Sequence, residues 1–122
     1  MERKTIGHRA ENFVCDYLRK NNFMVLEQNW SCRDGEIDII AKDTRELVFV
    51  EVRCRKENSL IKPMDSVSES KIKKISDAID QYMADNGLEV FARLDFVGVT
   101  YKIVDKEPVF TIESHIKRID LD

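Results

Sequence analysis

The segment Leu47-Val48-Phe49-Val50-Glu51-Val52 constrains this chain more than any other stretch. Apart from Glu51 it is wholly apolar and rich in β-branched residues, the mark of a strand. A strand that is apolar on both faces must be covered on both. It therefore belongs in the middle of a sheet with helices packed against it. That placement makes Glu51 costly, because a carboxylate taken out of water needs a partner, a proton or a cation. Asp38, in Glu36-Ile37-Asp38-Ile39-Ile40, interrupts a second apolar segment in the same way.

The flanking elements follow from periodicity. Ile6, Ala10, Phe13, Val14, Tyr17 and Leu18 recur at helical spacing behind Thr5, a suitable N-cap, and predict a helix over 5–21. Phe23 to Gln28 is a strand candidate, and Asn29 to Gly35 is polar and turn-like. Glu36–Ala41 and Leu47–Cys54 form a β-hairpin around the short polar run Lys42–Glu46. Glu57 to Asp65 is a loop. Ser66-x-x-Glu69 has the form of a capping box. Behind it Ile72, Ile75, Ala78, Ile79, Tyr82 and Met83 keep helical spacing to about Asn86, where Gly87 ends the helix. Val90–Tyr101 and Val109–Glu113 are strands, and 114–122 is expected to form a helical turn. The order α-β-β-β-α-β-β predicts an α/β fold, one central mixed sheet flanked by helices.

Composition narrows the class. With 122 residues, 43% hydrophobic and 35% charged, the chain is expected to form a single domain over 1–122 and is too apolar for a disordered tail. Twenty Lys and Arg against 23 Asp and Glu exclude a histone-like polycation. No apolar run approaches the ~18 residues of a membrane span, so no membrane partner is expected. Met1-Glu2-Arg3-Lys4 leads into a charged periodic stretch rather than an apolar signal region. Three cysteines (Cys15, Cys32, Cys54) without a CxxC pair, and only two histidines, argue against a disulfide scaffold or a zinc finger. They fit a reducing cytoplasm.

The net charge of −3 conceals a segregation. Residues 35–52 carry 2 positive and 5 negative charges, whereas residues 53–74 carry 7 positive and 3 negative. An acidic centre followed at once by a basic stretch suits a metal site beside a polyanion track. Ordinary solvated faces are the commoner source of such a pattern.

If the hairpin turn centres on Thr44-Arg45, Asp38 lies directly opposite Glu51, with Cβ atoms about 5 Å apart. Glu51 and Arg53 share a face, since side chains alternate along a strand. Two facing carboxylates repel, so either one takes up a proton or a cation sits between them. Oxygen ligands suit Mg²⁺ or Mn²⁺. The plainer alternative is a salt bridge from Asp38 to Arg53 or Arg33. Glu11 falls about 20° from Leu18 on the helical wheel, at the border of the apolar stripe and within reach of the sheet edge. Lys71 falls about 20° from Tyr82, inside the second helix's stripe. There it either snorkels outward or meets an anion. Asn29, Arg33, Arg55 and Lys56 are candidate phosphate contacts, and Trp30 either stacks on a base or belongs to the core. Cys54, between Arg53 and Arg55, lacks the base a thiol nucleophile needs. His8 and His115 have no spacing partners.

The runs Asn29-Trp30-Ser31-Cys32-Arg33-Asp34-Gly35-Glu36-Ile37-Asp38-Ile39-Ile40 and Val48-Phe49-Val50-Glu51-Val52-Arg53-Cys54-Arg55 resemble the YraN-like bacterial family. The likeness extends over essentially the whole chain, including Glu11, the Lys71 region and Arg93-Leu94-Asp95. It implies a restriction-endonuclease-like fold and a nuclease-type site related to that of Holliday-junction resolvases. By that resemblance Asp38, Glu51, the Val52 carbonyl and Glu11 would hold Mg²⁺ or Mn²⁺, and basic residues would stabilise charge developing on phosphorus. Two positions depart from the usual pattern. Arg53 stands where the nuclease motif carries Lys, and an Arg cannot act as a base although it binds phosphate well. Ser31 stands where many relatives carry Arg.

The expectation is a metal-dependent phosphodiesterase acting on DNA, branched or single-stranded. Glu11, Asp38, Glu51 and Arg53 would form the catalytic site, with Arg33, Arg55 and Lys71 along the backbone. Resolvase-like action would require a two-fold homodimer. The alternatives are a nucleic-acid-binding module without cleavage, and a structural partner protein with no nucleic-acid role.

Overall fold

The computed structural model describes residues 3–119. The chain runs α1 (Arg3–Lys20), β1 (Met24–Cys32), β2 (Gly35–Asp43), β3 (Glu46–Lys56), a 3-10 turn (Pro63–Ser66), α2 (Glu69–Asp85), β4 (Ala92–Val104) and β5 (Glu107–Ile116). The five strands lie in chain order across one sheet. Only β3 and β4 are parallel; the other neighbours are antiparallel. A parallel pair needs a long crossover, and the segment containing α2 provides it. The result is an α/β architecture of the expected order, consistent with a restriction-endonuclease-like fold.

The apolar run at Leu47–Val52 is the middle strand, and its alternation divides the core. Val48 and Val50 pack with Ala10, Val14 and Leu18 of α1, and with Val97 and Val99 of β4. Leu47 and Phe49 pack with Ile75, Ala78, Ile79 and Tyr82 of α2. Leu18 is wholly buried, which contributes about 2 kcal/mol from apolar area alone. No described helix is long and apolar enough to cross a membrane.

The structure corrects several boundaries. β1 continues through Asn29–Cys32, where a turn was expected. It is an edge strand with a bulge after Val25, and edge positions tolerate polar side chains because one face and one ladder meet water. Ser66 does not cap α2: it closes the 3-10 turn by donating its hydroxyl to the Pro63 carbonyl. Ser68 is the cap, accepting from the Lys71 amide at 3.1 Å. Gly87 follows the helix with φ +57°, as the sequence predicts. β4 begins at Ala92 rather than Val90 and runs on to Val104, and β5 is longer than expected, the two forming a hairpin through Asp105-Lys106 with a register shift at Gly98/Val99. The helical turn over 114–122 is not found, since Ser114–Ile116 complete β5; residues 120–122 lie outside the described residues.

Candidate functional site

The β2–β3 ladder pairs Ile39 with Val50 and Asp43 with Glu46, the register set by the tight Thr44-Arg45 turn. Continued by one residue, it places Asp38 beside Glu51. Here the side chain replaces the backbone: Oδ2 of Asp38 accepts the Val52 amide at 2.8 Å. Asp38 is thereby fixed to the neighbouring strand at the point where β2 and β3 part.

Glu51 is buried, with only 4% of its surface exposed. Among the described residues its ion pair is with Arg53, two residues along the same face, at 3.1 Å. Burial, then the nearby Asp38 charge and a hydrogen bond shared with Asp38, push its pKa up to about 8. Two carboxyl groups can share a hydrogen bond only when one carries a proton, so the surrounding charges do not compensate both acids. Arg53 and Lys71 pull in the opposite direction without compensating.

Glu11 reaches the same place from α1, on the other face of the sheet. Burial, with Asp38 and Glu36 nearby, raises its pKa to about 7 despite a hydrogen bond from Asn29. Its Oε1 is buried without any hydrogen-bond partner. A buried carboxylate oxygen near the Asp38 and Glu36 charges favours the protonated acid, or a cation in its place.

These groups line one cleft of about 700 Å³ at the carboxyl end of β3. Its walls include Glu11, Glu36, Asp38, Glu51, Val52, Arg53, Arg55, Lys56 and Lys71. Crevices beyond the carboxyl ends of strands are the usual ligand sites of open α/β sheets. Among the described residues no three His, Cys, Asp or Glu side chains form a ready-made metal cluster. Mg²⁺ does not require one, because it is commonly held by one or two carboxylates with water and phosphate completing the octahedron. Asp38 and Glu51 fit that habit, and the orphaned Glu11 oxygen fits an outer contact.

The model of the Uncharacterised protein family UPF0102 matches residues 10–99. The chain belongs to this family. It is 39% identical over 103 residues to a UPF0102 protein of Carboxydothermus hydrogenoformans, covering 84% of this chain and 87% of that one. The UPF0102 protein of Thermotoga maritima is 38% identical over 96 residues, covering 79% and 87%. That of Chlorobium chlorochromatii is 36% identical over 114 residues, covering 92% and 88%. The matched span runs from just before Glu11 to beyond Lys71, and so contains the whole cleft floor of this UPF0102 chain.

Within that span the candidate residues do not all converge. Arg33 sits exposed in the β1–β2 turn and does not line the cleft. Arg55 does line it, while its Nη1 donates to the Cys54 carbonyl at 2.9 Å. Asn29, expected among the phosphate contacts, instead bonds Glu11. Trp30 is core rather than stacking surface: it meets the Tyr82 ring edge-on at 5.2 Å. Burial pushes the Cys54 thiol up to about 11, which removes it as a nucleophile. Glu36 and Tyr101 were not singled out from sequence. The signal for Glu36 was its position two residues before Asp38. Tyr101 comes in only through its pairing with Lys56 across the parallel β3–β4 ladder.

Proposed function

We propose that this UPF0102 protein is a metal-dependent nuclease that cleaves phosphodiester bonds in DNA, within the cytoplasm, at the cleft built on Asp38 and Glu51. The observation that carries the reading is an excess of acid at the floor of a basic-walled cleft. Three carboxyl groups, Glu11, Asp38 and Glu51, line it, two of them with raised pKa values, and among the described residues the ion pair of Glu51 is with Arg53. A divalent cation held by Asp38 and Glu51 would compensate these acids. Mg²⁺ or Mn²⁺, when bound, contributes an acidified water and positive charge at the scissile phosphate.

The chain's own residues do the rest. Asp38, fixed by the Val52 amide, lines the cleft and would hold the metal together with Glu51. Glu51 would hold the metal as a carboxylate, so that metal binding would be linked to release of its proton. Arg53 donates to a phosphate oxygen, leaving Glu51 to do so, and stays charged throughout. Lys71 and Arg55 hold the polyanion along the wall. Symmetric cutting of two strands would need a two-fold homodimer.

The test is direct. Purified protein with Mn²⁺ or Mg²⁺ is incubated with single-stranded, flapped and branched DNA, alongside Asp38→Ala. Metal-dependent cutting that disappears in a folded Asp38→Ala protein is the expected result. The Glu51–Arg53 pair favours one competing reading, a binding module in which arginine has replaced the metal. DNA binding that weakens steeply with salt, with neither cleavage nor metal uptake, would establish that reading instead.

A further inference from the structure

Between β3 and the 3-10 turn, residues 57–62 form a lip over the cleft. Ser59 and Ile61 contribute to the cleft wall. Loop tips of this size normally carry Gly, Asn, Asp or Ser. This one instead presents Leu60, 102% exposed, and Ile61, 54% exposed, in succession.

The lip is not slack. The Glu57 amide donates to the Tyr101 carbonyl at 2.7 Å, and the Ser59 amide to the Lys56 carbonyl at 3.1 Å. Ser59 Oγ accepts the Ile61 amide at 3.3 Å. Pro63, just beyond, is buried against Gly98 of β4, where an added Cβ would lie 3.1 Å from the Pro63 side chain. An exposed leucine on a loop secured at both ends is a fixed projection. Arg55 and Lys56 precede it and Lys62 follows it, with Glu57 the one acid in the segment. That charge suits a nucleic-acid backbone on either side of an apolar tip.

We propose that Leu60, backed by Ile61, is a wedge that inserts between base pairs beside the cleft. It would select DNA in which a stacking step is already weakened, by a mismatch or an interruption in one strand, over continuous duplex. Apolar wedges flanked by basic residues act in this way on DNA, and the unstacking they require costs least where pairing is already broken. The inference rests on the nucleic-acid reading of the cleft and adds the feature of DNA it discriminates.

The experiment uses the full chain in EDTA, so that binding is read without cutting. The probes are two duplexes of equal length carrying 2-aminopurine, one continuous and one with a central mismatch. The wild type is expected to bind the mismatched duplex about tenfold tighter and to raise its fluorescence as the reporter base unstacks. Leu60→Ser should lose the preference and the fluorescence change, and Leu60→Phe should keep both. Equal affinity of the wild type for the two duplexes, or a preference that survives Leu60→Ser, overturns the wedge while leaving the nuclease reading standing. No binding of either duplex at low salt, in EDTA or with Ca²⁺ added, overturns both. If Leu60→Ser instead splits a dimer and leaves DNA binding unaltered, the tip is a subunit contact and the proposal fails.

Discussion

Glu51 and Asp95 are both buried acids on adjacent parallel strands, one register position apart: Val50 lies beside Asp95, and Glu51 beside Phe96. They face opposite sides of the sheet, and their surroundings differ in supply rather than in depth. Asp95 is 0% exposed. It accepts from Arg93 at 3.0 and 3.3 Å, from the Arg118 amide at 3.2 Å, and bonds His115 Nε2 at 2.8 Å. Burial alone would raise its pKa, but the His115, Arg93 and Arg118 hydrogen bonds together hold it below the usual value. Arg93 also pairs with Asp43 and Glu46, and Arg118 with Glu46, so this network closes on itself. Tyr17 completes it through His115 Nδ1 at 2.8 Å. Glu51, with one arginine and an acid for a neighbour, has its pKa driven the other way. One cluster is finished by the fold; the other is left short of positive charge where solvent can bring it.

The contrast is broken most sharply at the cleft. Glu51→Gln, like Asp38→Ala, is expected to reduce cleavage about 10³-fold or more, since the metal's ligand set is lost. Its melting temperature should equal or exceed that of the wild type, because a costly buried acid has been removed. A large fall in stability would show that the acid is structural after all.

Arg93→Ala tests the other side. It leaves Asp95, Asp43 and Glu46 without their common partner, and should cost about 3 kcal/mol, within the range for breaking a buried pair. Urea unfolding reads this, and a change under 1 kcal/mol would remove the distinction between the two clusters.

The third prediction concerns pH. The raised groups, Glu11 at about 7 and Glu51 at about 8, hold protons in the folded state that the unfolded chain loses near 4.5. The folded protein therefore binds more protons between those values, and stability contributed at this site falls as pH rises from about 4.5 to about 8. By the proposed reading Mg²⁺ would oppose that loss, since metal binding displaces the protons. Melting curves in EDTA and in Mg²⁺ should diverge more at pH 8 than at pH 6. Parallel curves would count against metal binding here.

Arg53 should give the smallest effect. Arg53→Lys retains a cation on the phosphate and is expected to keep activity within about tenfold, whereas Arg53→Gln loses more. If Lys raises the rate far beyond that, a proton-accepting role at this position is missing from the native chain.

The cleft floor was legible in sequence because its geometry is local. A two-residue hairpin fixes register, so Asp38 and Glu51 were placed together by counting from Thr44-Arg45. Glu11 was legible for a similar reason, its angle on a single helix. The Asp95 network was not. His115 lies 20 residues from Asp95 and 98 from Tyr17, and nothing in the spacing of either pair announces a contact. Arg93 and Asp95 stood out only through the family resemblance, and their partners Asp43 and Glu46 become visible only when the β2–β3 turn is brought up against them. β1 was cut short for a different reason: an edge strand need not alternate, and Asn29 with its positive φ of 53° looks like a turn residue inside a strand.

The hydrogen bond from the Val52 amide to Asp38 ties a side chain to the zippering of the sheet. Holding a flexible side chain still normally subtracts about 0.5–1.5 kcal/mol from an association. Here that ordering is completed when β2 and β3 come together, well before any guest arrives. If the proposed cation binds here, the acid is held in place beforehand, and part of the affinity would be a property of strand pairing.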